Sequence, residues 1–538
     1  MTTQTVIDVL AQRLAARGVK RFFGVPGGDC SLDLIDACAR AGIEVVLTRD
    51  ETAAAMAACV TGELTGAPGV IMLTRGPGLA NAINGIAYAA LDRAPLLVLA
   101  DGYDPQMAHV SHQRYDQHAL LKPLVKGSCG LKGKAPGADI DALLDLACAD
   151  PPGPVYIEML GSQVRASAPS EAPPVARALH GSVATQLPAG LEDLIASAQR
   201  PLIVAGMQAS GENASNALRA LVEQWNCPVL HTYKSLGAVS GDDPRVLGFY
   251  NGGGVAEQPI VSQADLIVLF GLDAIEFPPH KFLYTAPVIE FTTHPFERNV
   301  VEPKFSLAGD LAAAAQALQA VVKPAQWSKS FFAEARAELE RKGDAGKGEG
   351  PITPQQLVDA VIAAAPDAPH TRICIDAGAH MLPVLHSWHA TEARQSLISR
   401  GLASMGFALP AAIASSLAQP DHPVIAFTGD GGLMMCMGEL GTAVQYGCKM
   451  VVVVFNDASL TLISARQKRR KLPNAGVDFS KADFAQAANG FGALGIRVEQ
   501  PQDLAPAFKR AFAHPGVALV DVVVNPDAYR EQLLALRG

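Results

Sequence analysis

Residues 424–432 read Val-Ile-Ala-Phe-Thr-Gly-Asp-Gly-Gly, so a continuous apolar run ends in an aspartate between glycines. A helical pattern follows over residues 438–446, and a second apolar run over residues 450–455 leads into Asn456 and Asp457. Apolar runs bounded by glycine or aspartate are typical of parallel strands that are covered on both faces. The pattern therefore predicts a strand–loop–helix–strand unit with one carboxylate at the carboxyl end of each strand.

The same alternation of apolar strands and helical patterns extends along the whole chain. Two segments rich in breakers, at about residues 167–189 and about residues 323–354, interrupt it and are interpreted as linkers. We therefore expect an α/β protein with three doubly wound parallel-sheet domains, over residues 1–170, 185–325 and 352–538. Further strands are predicted at residues 21–25, 70–73, 96–100, 201–206 and 266–271.

The composition excludes several classes of protein. Hydrophobic residues make up 49% of the 538 residues and charged residues only 18%, a balance that excludes a disordered chain. The net charge of -9, without a long basic run, argues against a nucleic-acid partner. No stretch reaches the ~20 apolar residues of a membrane span, and the N-terminus lacks a signal-peptide pattern. Nine cysteines without a C-x-x-C pair suit a reducing compartment, so we expect a cytoplasmic protein.

Asp430 and Asp457 are the candidate metal ligands. Ligands of open α/β sheets bind at the carboxyl ends of the strands, where both aspartates are predicted to lie. Two carboxylates from adjacent strands suit Mg²⁺, which completes its shell with diphosphate oxygens, and the flanking glycines allow a phosphate to approach the backbone. An ordinary strand-end turn would also contain Gly-Asp-Gly. A nicotinamide site is disfavoured, because no G-x-G-x-x-G follows a strand.

The segment resembles the signature of thiamine diphosphate enzymes, in which Gly-Asp-Gly is followed after just under thirty residues by Asn-Asn or Asn-Asp. The resemblance implies that Asp430 and Asp457 bind Mg²⁺ through their side chains and Ser459 through its backbone carbonyl. It covers the whole chain and identifies the three domains, in order, as the pyrimidine-binding, central and diphosphate-binding domains. Three glycines of the same motif are implied to contact the cofactor: Gly429, Gly431 and Gly432.

Residues 47–57 resemble the Arg-His-Glu segment of this family, with Asp50 in place of the usual histidine. Glu51 falls at the position of the glutamate that hydrogen-bonds N1′ of the aminopyrimidine, which lets N4′ take the proton from C2 of the thiazolium and generate the ylid. Acidic residues are also routine in the first turn of a helix, where the macrodipole stabilises them.

Other cofactor contacts follow from the same resemblance. Residues 400–410 resemble the Gly-Thr-Met-Gly stretch, so Met405 would hold the cofactor bent and the carbonyl of Ala403 would accept from N4′. Residues 376–380 resemble a loop at the diphosphate, although His380 could equally be a surface imidazole. Segments that resemble the loops lining the reaction side supply three further candidates, Gly27, Gly78 and Asn81. Leu462 and Ile463, on the helix predicted after the metal loop, are candidates that would face the substrate.

The substrate side departs from the best-known relatives. Residues 111–123 resemble the Phe-Gln segment of acetolactate synthases, with His112 for Phe and Gln113 for Gln, and both are candidate catalytic residues. His112 could also be a solvated loop histidine. Arg75 replaces a common serine. Arg466 stands where biosynthetic acetolactate synthases carry tryptophan; it could bind a second carboxylate, sulfonate or phosphate, or be a solvated helix charge. Bound FAD is not expected, because the middle third lacks an Arg-Phe-Asp-Asp-like stretch.

The resemblance implies an acetolactate synthase-like enzyme. Thiamine diphosphate and Mg²⁺ would support decarboxylation of a 2-oxo acid and/or carboligation of the resulting enamine with a second carbonyl, from an aldehyde or a second oxo acid. A C–C lyase of the 2-hydroxyacyl-CoA type and a cofactor-binding, non-catalytic paralogue are the alternatives. The family also implies a homodimer or homotetramer with the active site at the subunit interface.

Overall fold

The computed structural model describes residues 4–132, 135–169, 187–250, 255–277, 282–297, 300–343, 351–367 and 370–537. These residues form two compact units. The first unit contains the described residues up to 169 together with 409–420 and 436–448; the second contains 187–408, 421–435 and 449–537. The predicted linkers fall partly on residues 170–186 and 344–350, which lie outside the described residues, so the three domain boundaries stay predictions.

Strands and helices alternate along most of the described chain, as the apolar pattern predicts. The strands are β1 (Arg21–Val25), β2 (Glu44–Leu47), β3 (Gly69–Leu73), β4 (Leu96–Asp101), β5 (Gly127–Gly130), β6 (Pro154–Met159), β7 (Pro201–Ala205), β8 (Val229–His231), β9 (Val246–Phe249), β10 (Leu266–Phe270), β11 (Val288–Thr292), β12 (Phe305–Ala308), β13 (Arg372–Ile375), β14 (Ser396–Ile398), β15 (Val424–Gly429), β16 (Met450–Asn456), β17 (Leu494–Val498) and β18 (Val517–Val523).

The helices connect these strands. They are α1 (Val6–Ala16), α2 (Cys30–Arg40), α3 (Glu51–Thr65), α4 (Pro77–Leu91), α5 (Gln117–Leu121), α6 (Pro136–Cys148), α7 (Gly161–Val164), α8 (Leu191–Ser197), α9 (Glu212–Trp225), α10 (Gln258–Val261), α11 (Leu311–Gln319), α12 (Lys329–Gly343), α13 (Pro354–Ala364), α14 (Met381–Ser387), α15 (Ala408–Ala418), α16 (Asp430–Cys436), α17 (Glu439–Gln445), α18 (Thr461–Arg469), α19 (Phe484–Gly490), α20 (Leu504–Ala513) and α21 (Asp527–Arg537). None of the described helices has the length and apolarity that a membrane crossing requires.

The first unit is built on a parallel sheet with the strand order β2-β1-β3-β4-β6-β5. Its two central strands, β3 and β4, are buried throughout, which explains their continuous apolar sequence. The order of the strands reverses between β1 and β3. In a doubly wound sheet, the crevice at the carboxyl ends of two such strands is where ligands bind.

The central sheet lies in the second unit and has the order β12-β11-β10-β7-β8-β9, again with parallel neighbours. Its central strands β7 and β10 pair in register from Pro201 with Leu266 to Ala205 with Phe270. Both strands are fully buried. Large side chains such as Trp225, Phe270 and Phe291 fill the core around them.

The last sheet, also in the second unit, has the order β14-β13-β15-β16-β18-β17, which repeats the order of the first sheet. Because β15 and β16 are parallel neighbours with Gly429 opposite Phe455, the residues that follow them meet at one edge. The three parallel six-stranded sheets found in the described residues confirm the predicted α/β class.

One local prediction is wrong. Residues 428–432 were expected to form a loop, but β15 continues to Gly429 and the short helix α16 begins at Asp430. The helical start is compatible with the acid because unsatisfied backbone N–H groups in a first turn favour a nearby carboxylate, and Asp430 Oδ1 accepts from Gly431 N.

Candidate active site

Asp430 and Asp457 are both fixed by hydrogen bonds at the edge formed by β15 and β16. Asp430 Oδ2 accepts from the backbone N of Ala458 at 2.6 Å, so it reaches the loop that carries Asp457. Asp457 Oδ1 accepts from Ser459 N at 3.0 Å, and its Oδ2 accepts from the hydroxyl of Thr461 at 2.6 Å. The two predicted ligands are thus brought together and their side chains are held in place.

The electrostatics of this pair fit a cation. Burial and, second to it, the negative charge of Asp430 raise the pKa of Asp457 to about 7; burial also raises the pKa of Asp430. Neither carboxylate forms an ion pair with a described residue. No group of three or more His, Cys, Asp or Glu side chains in the described ranges could hold a metal ion. A cation bound here would therefore need other oxygen ligands, as Mg²⁺ does when it bridges to a diphosphate.

A cavity of about 630 Å³ lies over this edge of the sheet. It is large enough for a cofactor, since ligand pockets commonly span ~300–1,000 Å³. The predicted site residues on its lining are His380, Ala403, Met405, Gly429, Asp430, Gly431, Gly432, Asp457, Ser459, Leu462 and Ile463. The cavity thus gathers the predicted residues of the last third of the chain, while their individual roles stay predictions.

His380 is buried, with 4% of its surface exposed, so the alternative of a surface imidazole is wrong. Its ring stacks on Phe455 with 5.3 Å between centroids, and burial lowers its pKa to about 4. Its Nε2 has no hydrogen-bond partner among the described residues, although it lies in the wall of the cavity. A buried polar atom without a partner indicates that the cavity is completed by a polar ligand.

Asp376 lies in the segment predicted to contact the diphosphate, but the sequence interpretation gave it no role of its own. It follows β13 directly and is buried, and burial raises its pKa. It accepts hydrogen bonds from the backbone N of Phe407 at 2.6 Å, from Ala408 N at 3.1 Å and from the Thr428 hydroxyl at 2.8 Å. A side chain on Gly432 would collide with its carboxylate. Asp376 therefore ties the segment that contains Met405 to the end of β15.

Ala403 lies in the same segment and has a φ of 55°, in the left-handed region that non-glycine residues rarely adopt. Strained backbone of this kind persists when the surrounding structure imposes it. Here the segment is fixed downstream by Asp376. The conformation is consistent with a functional role for the backbone of Ala403, the role predicted for it.

Glu51, Gly78 and Asn81 are brought together in the first unit. Glu51 is the first residue of α3, and Asp50 caps that helix by accepting from Ala53 N. Asn81 Nδ2 lies 2.7 Å from Glu51 Oε2 and 2.7 Å from Asp50 Oδ2. A Cβ on Gly78 would lie 3.4 Å from Glu51 Oε1. The absence of a side chain at Gly78 therefore leaves one face of the Glu51 carboxylate open.

Helix α17 holds the segment that precedes Glu51. Glu439 is 1% exposed, and its Oε1 accepts from the backbone N of Arg49 at 2.8 Å while Thr442 donates to its Oε2. The Tyr446 hydroxyl accepts from the backbone N of Leu47 at 2.8 Å. The sequence interpretation missed Glu439, for which only an acid in an otherwise apolar helix gave a signal.

In the first unit, the loops that were predicted to line the reaction side contact one another. Arg75 donates to Asp29 Oδ2 at 2.6 Å, and its guanidinium lies 4.1 Å from the ring centroid of Tyr103. Gln113, with a φ of 54°, lines a 390 Å³ pocket beside Arg75. His112 is exposed and contributes its carbonyl as acceptor for the Tyr103 hydroxyl. Gly27 packs so closely on Thr74 and Asp101 that a side chain would not fit there.

Comparison with known proteins agrees with this geometry. Residues 4–120, 189–318 and 376–522 match the N-terminal TPP binding domain, the central domain and the C-terminal TPP binding domain of thiamine pyrophosphate enzymes. The chain is 27% identical to acetolactate synthase from Bacillus subtilis, over 97% of this chain and 93% of that protein. It is 27% identical to the catabolic acetolactate synthase of Raoultella terrigena, over 98% of this chain and 96% of that protein. It is 29% identical to the acetolactate synthase isozyme 2 large subunit of Escherichia coli, over 95% of this chain and 94% of that protein. The chain therefore belongs to the family of thiamine pyrophosphate (thiamine diphosphate) enzymes.

Proposed function

We propose that the protein is a thiamine diphosphate- and Mg²⁺-dependent enzyme that decarboxylates a 2-oxo acid and joins the product to a second carbonyl. The observation that carries this proposal is the carboxylate pair Asp430 and Asp457 at one edge of a cofactor-sized cavity. Relatives named acetolactate synthase, aligned over nearly the whole chain, support this reaction rather than the 2-hydroxyacyl-CoA lyase alternative.

The residues of the cavity suit the cofactor. Asp430, Asp457 and the carbonyl of Ser459 would hold Mg²⁺, and His380 with the glycines around Asp430 would face the diphosphate. Met405 would support the bent cofactor, and the carbonyl of Ala403 would accept from N4′. When bound, thiamine diphosphate supplies a nucleophilic carbon and an electron sink for decarboxylation. Leu462 and Ile463 provide apolar surface, which keeps water from the reacting atoms.

Glu51 holds a proton toward N1′ of the aminopyrimidine in this proposal, and Asn81 orients its carboxylate. We place Glu51 of one subunit over a cofactor held by the partner subunit, in a homodimer or homotetramer, as the family resemblance implies. His112 and Gln113 contact the substrate, and FAD is not required. The protein has domains over 1–170, 185–325 and 352–538 and works in the cytoplasm; nine free cysteines support a reducing compartment.

The test is CO₂ release by the protein loaded with thiamine diphosphate and Mg²⁺, measured on a panel of 2-oxo acids with and without an aldehyde acceptor. We expect CO₂ release from at least one 2-oxo acid and a carboligated product when a second carbonyl is present. Saturable binding of cofactor without CO₂ release from any member of the panel would contradict the proposal and favour the lyase or the non-catalytic paralogue.

Glu439→Ala should lower kcat by about tenfold or more, because loss of the acceptor for Arg49 N releases the segment before Glu51 and misplaced catalytic groups react slowly. Glu439→Gln keeps an acceptor oxygen and should restore most of the activity. The KM for the 2-oxo acid should change little in either variant. A parallel loss of activity in both variants, or a rise in KM alone, would contradict this positioning role.

A further inference from the structure

Helix α18 forms one wall of the cavity, and its exposed residues change character along the helix. At its start, the Thr461 hydroxyl donates to Asp457. Leu462 and Ile463 follow on the cavity lining, and Arg466 lies on it one turn later. Positions separated by three and four residues share one face of a helix, so these side chains form a continuous strip. A ligand along this wall meets a carboxylate, then apolar surface, then a guanidinium.

Arg466 is exposed, and its guanidinium makes no hydrogen bond and no ion pair with any residue in the described part of the chain. Arg75, by contrast, is paired with Asp29. Arg400, the other guanidinium on the cavity lining, lies 5.7 Å from the ring centroid of Tyr233. Arg466 is therefore a cation on the cavity lining that no described residue neutralises.

The carboxylates of the cavity do not supply the missing partner. Asp457 accepts from Thr461 at the start of α18, and Asp430 accepts from Ala458 N just before it. A rise of roughly 1.5 Å per residue puts Arg466 about 7.5 Å beyond Thr461 along the helix axis. The charge of its neighbours adds to its own. Residues 466–471 contain five cationic side chains, and among the described residues only Lys468 has a carboxylate, that of Asp527, within 4.0 Å. This end of the cavity favours an anion.

We propose that Arg466 determines substrate specificity by binding a second carboxylate, at the end of the 2-oxo acid remote from the oxo group. The substrate class is thus a 2-oxo dicarboxylate whose middle carbons lie against Leu462 and Ile463. A planar guanidinium fork matches a carboxylate in two parallel hydrogen bonds, which a hydrated lysine does not reproduce. This inference rests on the proposed function, because it assigns a substrate to the same cavity.

The first experiment compares 2-oxoglutarate with 2-oxopentanoate, which have the same chain length and differ only in the terminal carboxylate. With the holoprotein, we expect kcat/KM for 2-oxoglutarate to exceed that for 2-oxopentanoate by about tenfold. This is the contribution expected of a hydrogen-bonded charge pair that is partly exposed to solvent. Arg466→Gln should remove this preference by raising the KM for 2-oxoglutarate, with little change for 2-oxopentanoate. Arg470→Gln, an exposed cation of the same segment that is not on the cavity lining, is the matched control.

The second experiment measures binding without turnover, by calorimetry of pentanedioate and pentanoate, which lack the oxo group. The dianion should bind the holoprotein more tightly, and Arg466→Gln should abolish the difference while Arg466→Lys keeps part of it. Equal binding of the two probes, or an equal loss for both in Arg466→Gln, would overturn the inference. CO₂ release from 2-oxopentanoate with no preference for 2-oxoglutarate refutes this substrate class but leaves the proposed function intact. Preferential binding of pentanedioate without any decarboxylation refutes the proposed function, and the substrate class with it, but supports the carboxylate site at Arg466.

Discussion

Glu51→Gln should lower kcat by about 10²–10⁴-fold, the range that a positioned acid–base group contributes. The glutamine side chain keeps the shape of glutamate and one oxygen for Asn81, but it cannot hold and release a proton at N1′ of the aminopyrimidine. CO₂ release under saturating thiamine diphosphate and Mg²⁺ gives the measurement. Glu44→Gln, which changes an exposed carboxylate on β2 of the same unit, should keep full activity.

Cofactor binding separates the chemical role of Glu51 from a structural one. The Mg²⁺ and diphosphate ligands come from Asp430, Asp457 and their neighbours, so Glu51→Gln should bind thiamine diphosphate within about threefold of the wild type, as expected for loss of one hydrogen bond. Calorimetric titration measures this affinity, and the thermal unfolding midpoint shows whether the variant is folded. An active Glu51→Gln, or an inactive one that no longer binds cofactor, would contradict the assigned role.

The fold could be predicted because its strands carry an unambiguous signal. Strands such as β10 and β16 are buried along their whole length, so nearly every residue is apolar and the segment ends abruptly at glycine or aspartate. Asp430 and Asp457 were predictable as metal ligands for the same reason, because each follows one of these clearly marked strands. The position of α16 was not, because a glycine-rich segment gives no helical periodicity.

The residues that position the site were harder to find. Asp376 and Glu439 act through backbone N–H groups of segments distant in sequence, Phe407 and Arg49, and hydrogen bonds between such partners leave no periodicity or spacing in the chain. His380 shows a related difficulty. A histidine beside glycine and alanine gave no indication of exposure, and only packing against Phe455 establishes that it is buried. The substrate class was hard to predict for a similar reason. It depends on whether another residue of the protein pairs with the guanidinium of Arg466, and the sequence alone does not show this.

Asp430→Asn should lower the affinity for Mg²⁺ on the order of a hundredfold or more, since even outer-shell changes at metal sites cost 10–100-fold. The charge is only part of the reason. Both oxygens of Asp430 accept backbone N–H groups, from Gly431 and Ala458, and an amide offers only one acceptor oxygen. One buried donor would lose its partner, so the loop that carries Asp457 should also shift. Calorimetric titration of Mg²⁺ in the presence of thiamine diphosphate measures the loss.

Asp457→Asn should be milder, with a loss of Mg²⁺ affinity of about tenfold, because its two hydrogen bonds can both survive. The amide oxygen can accept from Ser459 N, and the Thr461 hydroxyl can accept from the amide nitrogen instead of donating. Asp457→Asn also removes a carboxylate whose pKa is raised to about 7, first by burial and then by the charge of Asp430, so the metal-free protein should unfold at a higher temperature at pH 8. Asp527→Asn, an exposed site, is the control for both measurements. Wild-type affinity in both ligand variants would refute the metal site. Because both variants remove one charge, a greater loss in Asp457→Asn than in Asp430→Asn would refute the importance of the backbone contacts of Asp430 for binding.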